Sequence, residues 1–151
     1  MKVLTLTAQF PTITLEASKY TSKFIFDQRK DHFRLVSNVQ PATGDVIQFS
    51  PLLINGEVLI DGLEMERRSQ TMKGALAGQL HAEWLIKHQE KISPEMQKYI
   101  IIFLGTEWRG QLENRPVPCL ICFHSKWHVL FLWLGDTFDA NFLLARLSQQ
   151  S

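Results

Sequence analysis

Cysteine is scarce in this sequence: Cys119 and Cys122 are its only two, three positions apart in a chain of 151 residues. A scaffold stapled by several disulfides is thereby excluded, and so close a pair points instead to metal binding or redox chemistry in a reducing compartment. Long apolar runs are missing too. None approaches the ~18 residues that a membrane helix needs, so no membrane partner is expected. Nor is one sign of charge in surplus, since 16 Lys and Arg stand against 15 Asp and Glu, a net +1. That balance makes no electrostatic case for nucleic acid, membrane or acidic partners. The opening Met1-Lys2-Val3-Leu4-Thr5-Leu6-Thr7 is too short and threonine-rich for a signal peptide, so a cytoplasmic location is expected.

The content that is present, 45% hydrophobic and 21% charged, is that of an ordinary folded domain. The length fits one domain over residues 1–151, and no repeat or linker divides it. Residues 1–45 read as a β-rich N-terminal part, with strands over 2–8, 12–16, 23–26 and 33–36; the last two form a hairpin across residues 28–31. Residues 52–60 carry Asn55-Gly56 between apolar flanks, the signature of a tight hairpin with two positive-φ positions. Helical spacing runs from Gln79 to about Lys91, beginning after Gly78 because glycines oppose a helix interior. Ser93-Pro94 opens at most a short turn. Residues 99–104 and 128–134 read as strands buried on both faces, and continuous apolar strands of this kind also suit self-association into a homo-oligomer. Between them, residues 105–116 read as a polar loop. Residues 136–149 read as a C-terminal helix capped by Asp136.

Chemistry enters with His81-Ala82-Glu83 and Pro118-Cys119-Leu120-Ile121-Cys122. Three protein ligands with an open fourth position let zinc lower the pKa of a bound water towards ~7. A neighbouring carboxylate that does not ligate the metal can shuttle protons. H-x-E followed by P-C-x-x-C is the arrangement of the zinc deaminases of nucleobases. Pro118 suits the first turn of a helix, on which cysteines at i and i+3 share a face. His81 and Glu83, about 200° apart on a regular helix, meet one metal only at a helix start. A rival zinc set, Cys119, Cys122, His124 and His128, would have to assemble within ten residues, which leaves no usual spacing between ligand pairs.

Residues 46–134 resemble the cytidine deaminase-like superfamily. The resemblance implies an α/β fold of three layers, α/β/α, with a mixed central sheet. It implies His81, Cys119 and Cys122 as ligands of Zn2+ and Glu83 as the catalytic proton shuttle. Ala82, Glu64 and Glu66 then fall at substrate-binding positions, although the Asn of that family's Asn-x-Glu pair is replaced by Glu64. Trp108, in the loop before Pro118, is a candidate for stacking on a base. Trp84, Trp127 and Trp133 read as core, and Arg109 as a solvated surface residue that at most meets phosphate. The implied activity is hydrolytic deamination of a cytosine-type base in a nucleoside, a nucleotide or a single-stranded nucleic acid, with the balanced charge favouring a free nucleoside or nucleotide. The alternatives are a deaminase-like binding or structural domain without catalysis, and Cys-x-x-Cys redox chemistry.

Overall fold

The computed structural model describes residues 10–16, 23–72 and 75–148. Among these residues the strands are β1 (Ile13–Thr14), β2 (Arg34–Ser37), β3 (Val46–Pro51), β4 (Ile60–Asp61) and β5 (Ile100–Ile102). They continue with β6 (Glu107–Arg109), β7 (Pro116–Phe123), β8 (Lys126–Trp133), β9 (Thr137–Phe138) and β10 (Phe142–Leu147). Two α-helices, α1 (Gly62–Ser69) and α2 (Gln79–Lys87), lie between β4 and β5. The architecture is mixed α/β around a six-stranded mixed sheet of order β1-β3-β10-β5-β7-β8. Its one parallel pairing, β5 with β10, sits near the middle.

Both helix expectations in the second half of the chain are corrected. Pro118 opens no helix; it lies inside β7, paired across to Phe131 of β8. A proline is tolerated in a strand where its missing N–H would face no ladder partner. Backbone groups alternate along a strand, so Pro116 and Pro118, two apart, both lack their donor on the side towards β5. There β5 ends at Ile102, and only the Phe103 N–H reaches the Pro118 carbonyl, at 3.0 Å. The ladder to β8 is left whole, with eight residue pairs from Pro116–Trp133 to Phe123–Lys126.

Residues 136–149 contain β9 and β10 in place of the expected helix. Leucine and alanine favour a helix locally, but Leu143, Leu144 and Ala145 are buried on both sheet faces. Their backbone is spent on β3 on one side and β5 on the other. Asp136 caps nothing helical; its N–H closes a turn on the Trp133 carbonyl.

Side-chain alternation builds two cores. Ile47, Phe49, Ile101, Leu120, Leu143 and Ala145 face α2, joining its Ala82, Trp84 and Leu85. Ile102, Val117, Cys119 and Leu144 face the other way, with Met65 of α1 and with Ile60 and Phe138 from the β4–β9 pair. Residues 64–69 form most of α1, which is capped by Asp61, whose carboxylate accepts from the Glu64 N–H at 2.8 Å.

Elsewhere the outcome is mixed. The 99–104 and 128–134 strands are present as β5 and β8, but β8, expected to be buried on both faces, is half-exposed along most of its length; α2 starts directly after Gly78 as expected. The proposed hairpin of residues 23–37 is not: β2 pairs with β6, not with residues 23–26, which form no strand. At Asn55-Gly56 a turn forms, but only Gly56 has positive φ (87°), and β4 pairs with β9 rather than across that turn. A type II turn needs the left-handed residue at its third position alone. The loop 105–116 contains the short β6, and the expected strand at 2–8 lies outside the described residues.

A buried central strand makes a sharp prediction. Leu143→Ala should lower the unfolding free energy by about 2–5 kcal/mol in urea denaturation. A solvent-facing leucine on a terminal helix would change it by well under 1 kcal/mol.

Candidate functional site

Four of the five buried polar side chains in the described structure gather around the start of α2: Gln79, His81, Glu83 and Thr106. Burial of polar groups is costly unless each finds a partner, and here every one does. Thr106 Oγ1 accepts from the Gln79 N–H at 2.8 Å and donates to Asn38 Oδ1 at 2.6 Å. Gln79 Oε1 accepts from Trp108 Nε1 at 2.7 Å, and Gln79 Nε2 donates to both the Phe26 carbonyl and Glu83. Close approach makes this possible: a Cβ at Gly78 would lie 2.6 Å from Thr106 Oγ1, and one at Gly105 2.5 Å from the Leu76 carbonyl.

Glu83 is 3% exposed, and its carboxylate accepts from the backbone N–H of Ile25 (2.9 Å) and of Phe26 (3.0 Å) as well as from Gln79. Two consecutive amides and a side-chain amide thus replace its water. His81 is fully buried, and both of its nitrogens are engaged. Nδ1 accepts from the Gly78 N–H at 3.1 Å, so the neutral ring carries its proton on Nε2, which donates to Asp45 Oδ2 at 3.0 Å. In this geometry His81 reaches back to cap its own helix. Burial pushes the imidazole below its ordinary value of 6.5, with Asp45 opposing the shift.

The zinc donor set does not fit this arrangement. Cys119 and Cys122, three apart on a strand, point to opposite faces. Cys122 packs on the α2 side, whereas Cys119 lies in the other core, across the sheet from His81. Burial pushes the Cys119 thiol up to about 12, and it donates weakly to the Val117 carbonyl, as a protonated core residue does. No lone pair of His81 is open. Among the described residues no three His, Cys, Asp or Glu side chains converge as a metal site requires. A Cys119–Cys122 disulfide is equally strained, because three strand residues span about 10 Å.

The substrate-binding expectations separate in space. Ala82 is core. Trp108 is fully buried, its ring 5.1 Å from Phe24, and offers no stacking face. Glu64 is taken up by Arg67 and Arg68, whose hydrogen bonds hold its carboxyl down at about 2. Glu66 lines an open cavity, a cleft of about 410 Å³ walled by Leu63, Arg109, Glu113, Asn114, Arg115, Trp133, Leu134 and Gly135.

Alternation along β6 separates this cleft from the α2 network: Trp108 points inward, Glu107 and Arg109 to the other side. Arg115, 9% exposed in its side chain, is ion-paired to Glu66 and lies 3.9 Å from Glu107. Arg109 holds Glu107 at 2.5 Å and Glu113 at 3.6 Å, and Arg34 meets Glu113 at 3.1 Å. Trp133, expected in the core, is 48% exposed, while Trp84 and Trp127 are buried as expected. The cleft residues were hard to find because 109 and 115 flank a polar loop and meet only through the fold. Comparison with protein families, with curated proteins and with solved structures finds no match.

Two predictions follow from the α2 network. Glu83→Ala should lower stability by about 2 kcal/mol and speed exchange of the Ile25 and Phe26 amides, since it strips both of their acceptor. A lowered histidine pKa means that the unfolded chain takes up the proton first on acidification. Stability due to His81 is therefore complete above about pH 6.5 and falls as the pH drops through that value. Urea midpoints at pH 7.5 and 5.5 should differ for the wild type and converge for His81→Asn. The arginine-held carboxylates at about 2, Asp27, Glu57 and Glu64, lose their contribution only at more acidic pH.

Proposed function

We propose that this chain is a binding domain for a small, planar, polar ligand, held in the cleft between α1 and the chain ends of β6, β7 and β8. The observation that carries the reading is one half-exposed aromatic, Trp133, beside a fixed Arg115–Glu66 pair in a cavity of about 410 Å³. That volume lies within the range of small-molecule sites. Leu63 and Trp133 give the cleft apolar lips, and an indole face binds a flat ring by stacking, worth about 1–3 kcal/mol per base. Deeper in, guanidinium donors and carboxylate acceptors stand side by side, so a ring with mixed donor and acceptor edges is matched better than an aliphatic one.

Charge narrows the class further. Arg34, Arg109 and Arg115 are offset by Glu66, Glu107 and Glu113 in one linked set. A polyanion gains little from a site already neutralised, whereas an uncharged or zwitterionic molecule pays no repulsion. A free nucleobase or nucleoside satisfies every one of these conditions.

The rival reading is hydrolytic deamination of a cytosine-type base in a three-layer cytidine deaminase-like fold. It rests on the co-occurrence of the two sequence motifs and on His81 and Glu83 sharing one buried helix. The donor geometry lends it no support, and nothing in the cleft depends on it.

One titration decides between them. Cytosine, adenine, cytidine and adenosine are added while tryptophan emission is followed; Trp133 alone among the four tryptophans faces solvent. At least one compound should change the emission saturably, and Trp133→Ala should weaken its binding, read by calorimetry, at least tenfold. Absence of binding by the whole panel, or equal binding by Trp133→Ala, overturns the cleft. About one zinc per chain, lost in Cys119→Ser, together with ammonia release lost in Glu83→Gln, establishes the deaminase instead.

A further inference from the structure

A second cavity, of about 330 Å³, opens beside the cleft and is walled by Asp31, His32, Phe33, Gly110, Gln111 and Asn114. Asn114 lines both, and Arg109 of the cleft is followed directly in the chain by Gly110 of its neighbour. The aromatic walls meet as well. The ring of Phe33 lies 6.3 Å from that of Trp133, centre to centre, with the planes tilted by 45°. The two hollows thus adjoin across one pair of rings, Trp133 for the cleft and Phe33 for its extension.

Strand register builds this second wall. β2 and β6 pair Arg34 with Arg109, which brings Phe33 beside Gly110. The ring passes so close that a Cβ at Gly110 would lie 2.5 Å from it, so the position takes glycine. The Gly110 N–H bonds the Asn114 carbonyl at 2.8 Å, and the Phe33 N–H bonds the Gln28 carbonyl at 3.1 Å. Those bonds close the two turns that carry the polar side chains. Such side chains differ from the cleft's in one respect. Arg109, Arg115, Glu66 and Glu113 are committed to ion pairs. Asp31, His32, Gln111 and Asn114 are exposed, and among the described residues their side chains form no hydrogen bond or ion pair.

We propose that the second cavity is a sugar subsite, and that the ligand of the cleft is a nucleoside with its base on Trp133 and its ribose on Phe33. The proposal rests on the cleft's taking a base. A nucleoside joins its two rings by a single bond, so the sugar must lie directly beside the base, as the two cavities do. Each ribose hydroxyl both donates and accepts. The Gln111 and Asn114 amides and a neutral His32 ring do the same, and the Asp31 carboxylate accepts. The C–H groups of the sugar give it an apolar face, which an aromatic ring such as Phe33 covers. Phosphate suits this hollow less. Asp31 opposes an anion, and the neighbouring guanidiniums of Arg34 and Arg109 already hold Glu113.

Calorimetry on the full chain compares cytosine with cytidine and adenine with adenosine. At least one nucleoside should bind about tenfold tighter than its own base. Asp31→Ala combined with Gln111→Ala, both exposed and neither lining the cleft, should bring that pair to within about threefold by weakening the nucleoside alone. Trp133→Ala should weaken base and nucleoside alike. The nucleoside 5′-monophosphate should bind no tighter than the nucleoside. A base that binds as tightly as its nucleoside overturns the sugar subsite and leaves the cleft reading standing. So does an advantage that survives the double variant, or a double variant that weakens the base equally. A 5′-phosphate that adds about tenfold more affinity assigns the second cavity to phosphate and overturns the sugar. Absence of binding by every compound overturns both readings.

Discussion

A buried carboxylate held by N–H donors fixes the geometry of one whole side of this molecule. Glu83 is sealed at the base of α2, and among the described residues three N–H donors, from Ile25, Phe26 and Gln79, hold it there. Each of those donors belongs to something that must then stay in place: the segment 23–27, the first turn of α2 and, through Gln79, the indole of Trp108 on β6. The cost of stranding a charge in a low-dielectric interior is several kcal/mol. A loop, a helix and a strand are thereby kept in register by one side chain. His81 adds a second tie, from the Gly78 N–H to Asp45 just before β3.

This network changes what a His-x-Glu sequence means here. In a metal site the histidine offers a free lone pair and the glutamate faces the reacting centre. In this chain the histidine spends one nitrogen on its own helix start, and the glutamate spends both oxygens on backbone amides. The same two residue types, at the same spacing and at the helix start the chemistry would require, are equally suited to packing a helix against a loop. Spacing alone does not separate the two uses; the third and fourth members of the constellation do.

Much of the sheet was legible because its strands read as continuous apolar runs, buried in β5 and largely half-exposed in β8. The start of α2 was legible because glycine opposes a helix interior, and the structure adds that a Cβ at Gly78 would lie 2.6 Å from Thr106 Oγ1. The C-terminal strand was not. Phe142-Leu-Leu-Ala-Arg-Leu147 has helical composition, and only the presence of β3 and β5 on either side makes it a strand. The cleft was hidden for a related reason. Glu66 and Arg115 lie far apart in sequence, and no local pattern announces that an ion pair will join them.

The decisive ambiguity lay in Pro118. Cysteines three apart share a face on a helix and oppose each other on a strand, so one secondary-structure assignment converts a ligand pair into two unrelated core residues. Proline opens helices well, but it also sits in strands wherever its nitrogen faces no partner. Pro116, two residues earlier, is what tips the balance: a proline at both positions puts both missing donors on one side of an extended chain. On a helix the second would fall inside the first turn with nothing gained. Eight consecutive pairings with β8 then hold the segment extended. The sheet that results has an apolar strand at its open edge, and Gln89 covers that edge at Trp127 alone.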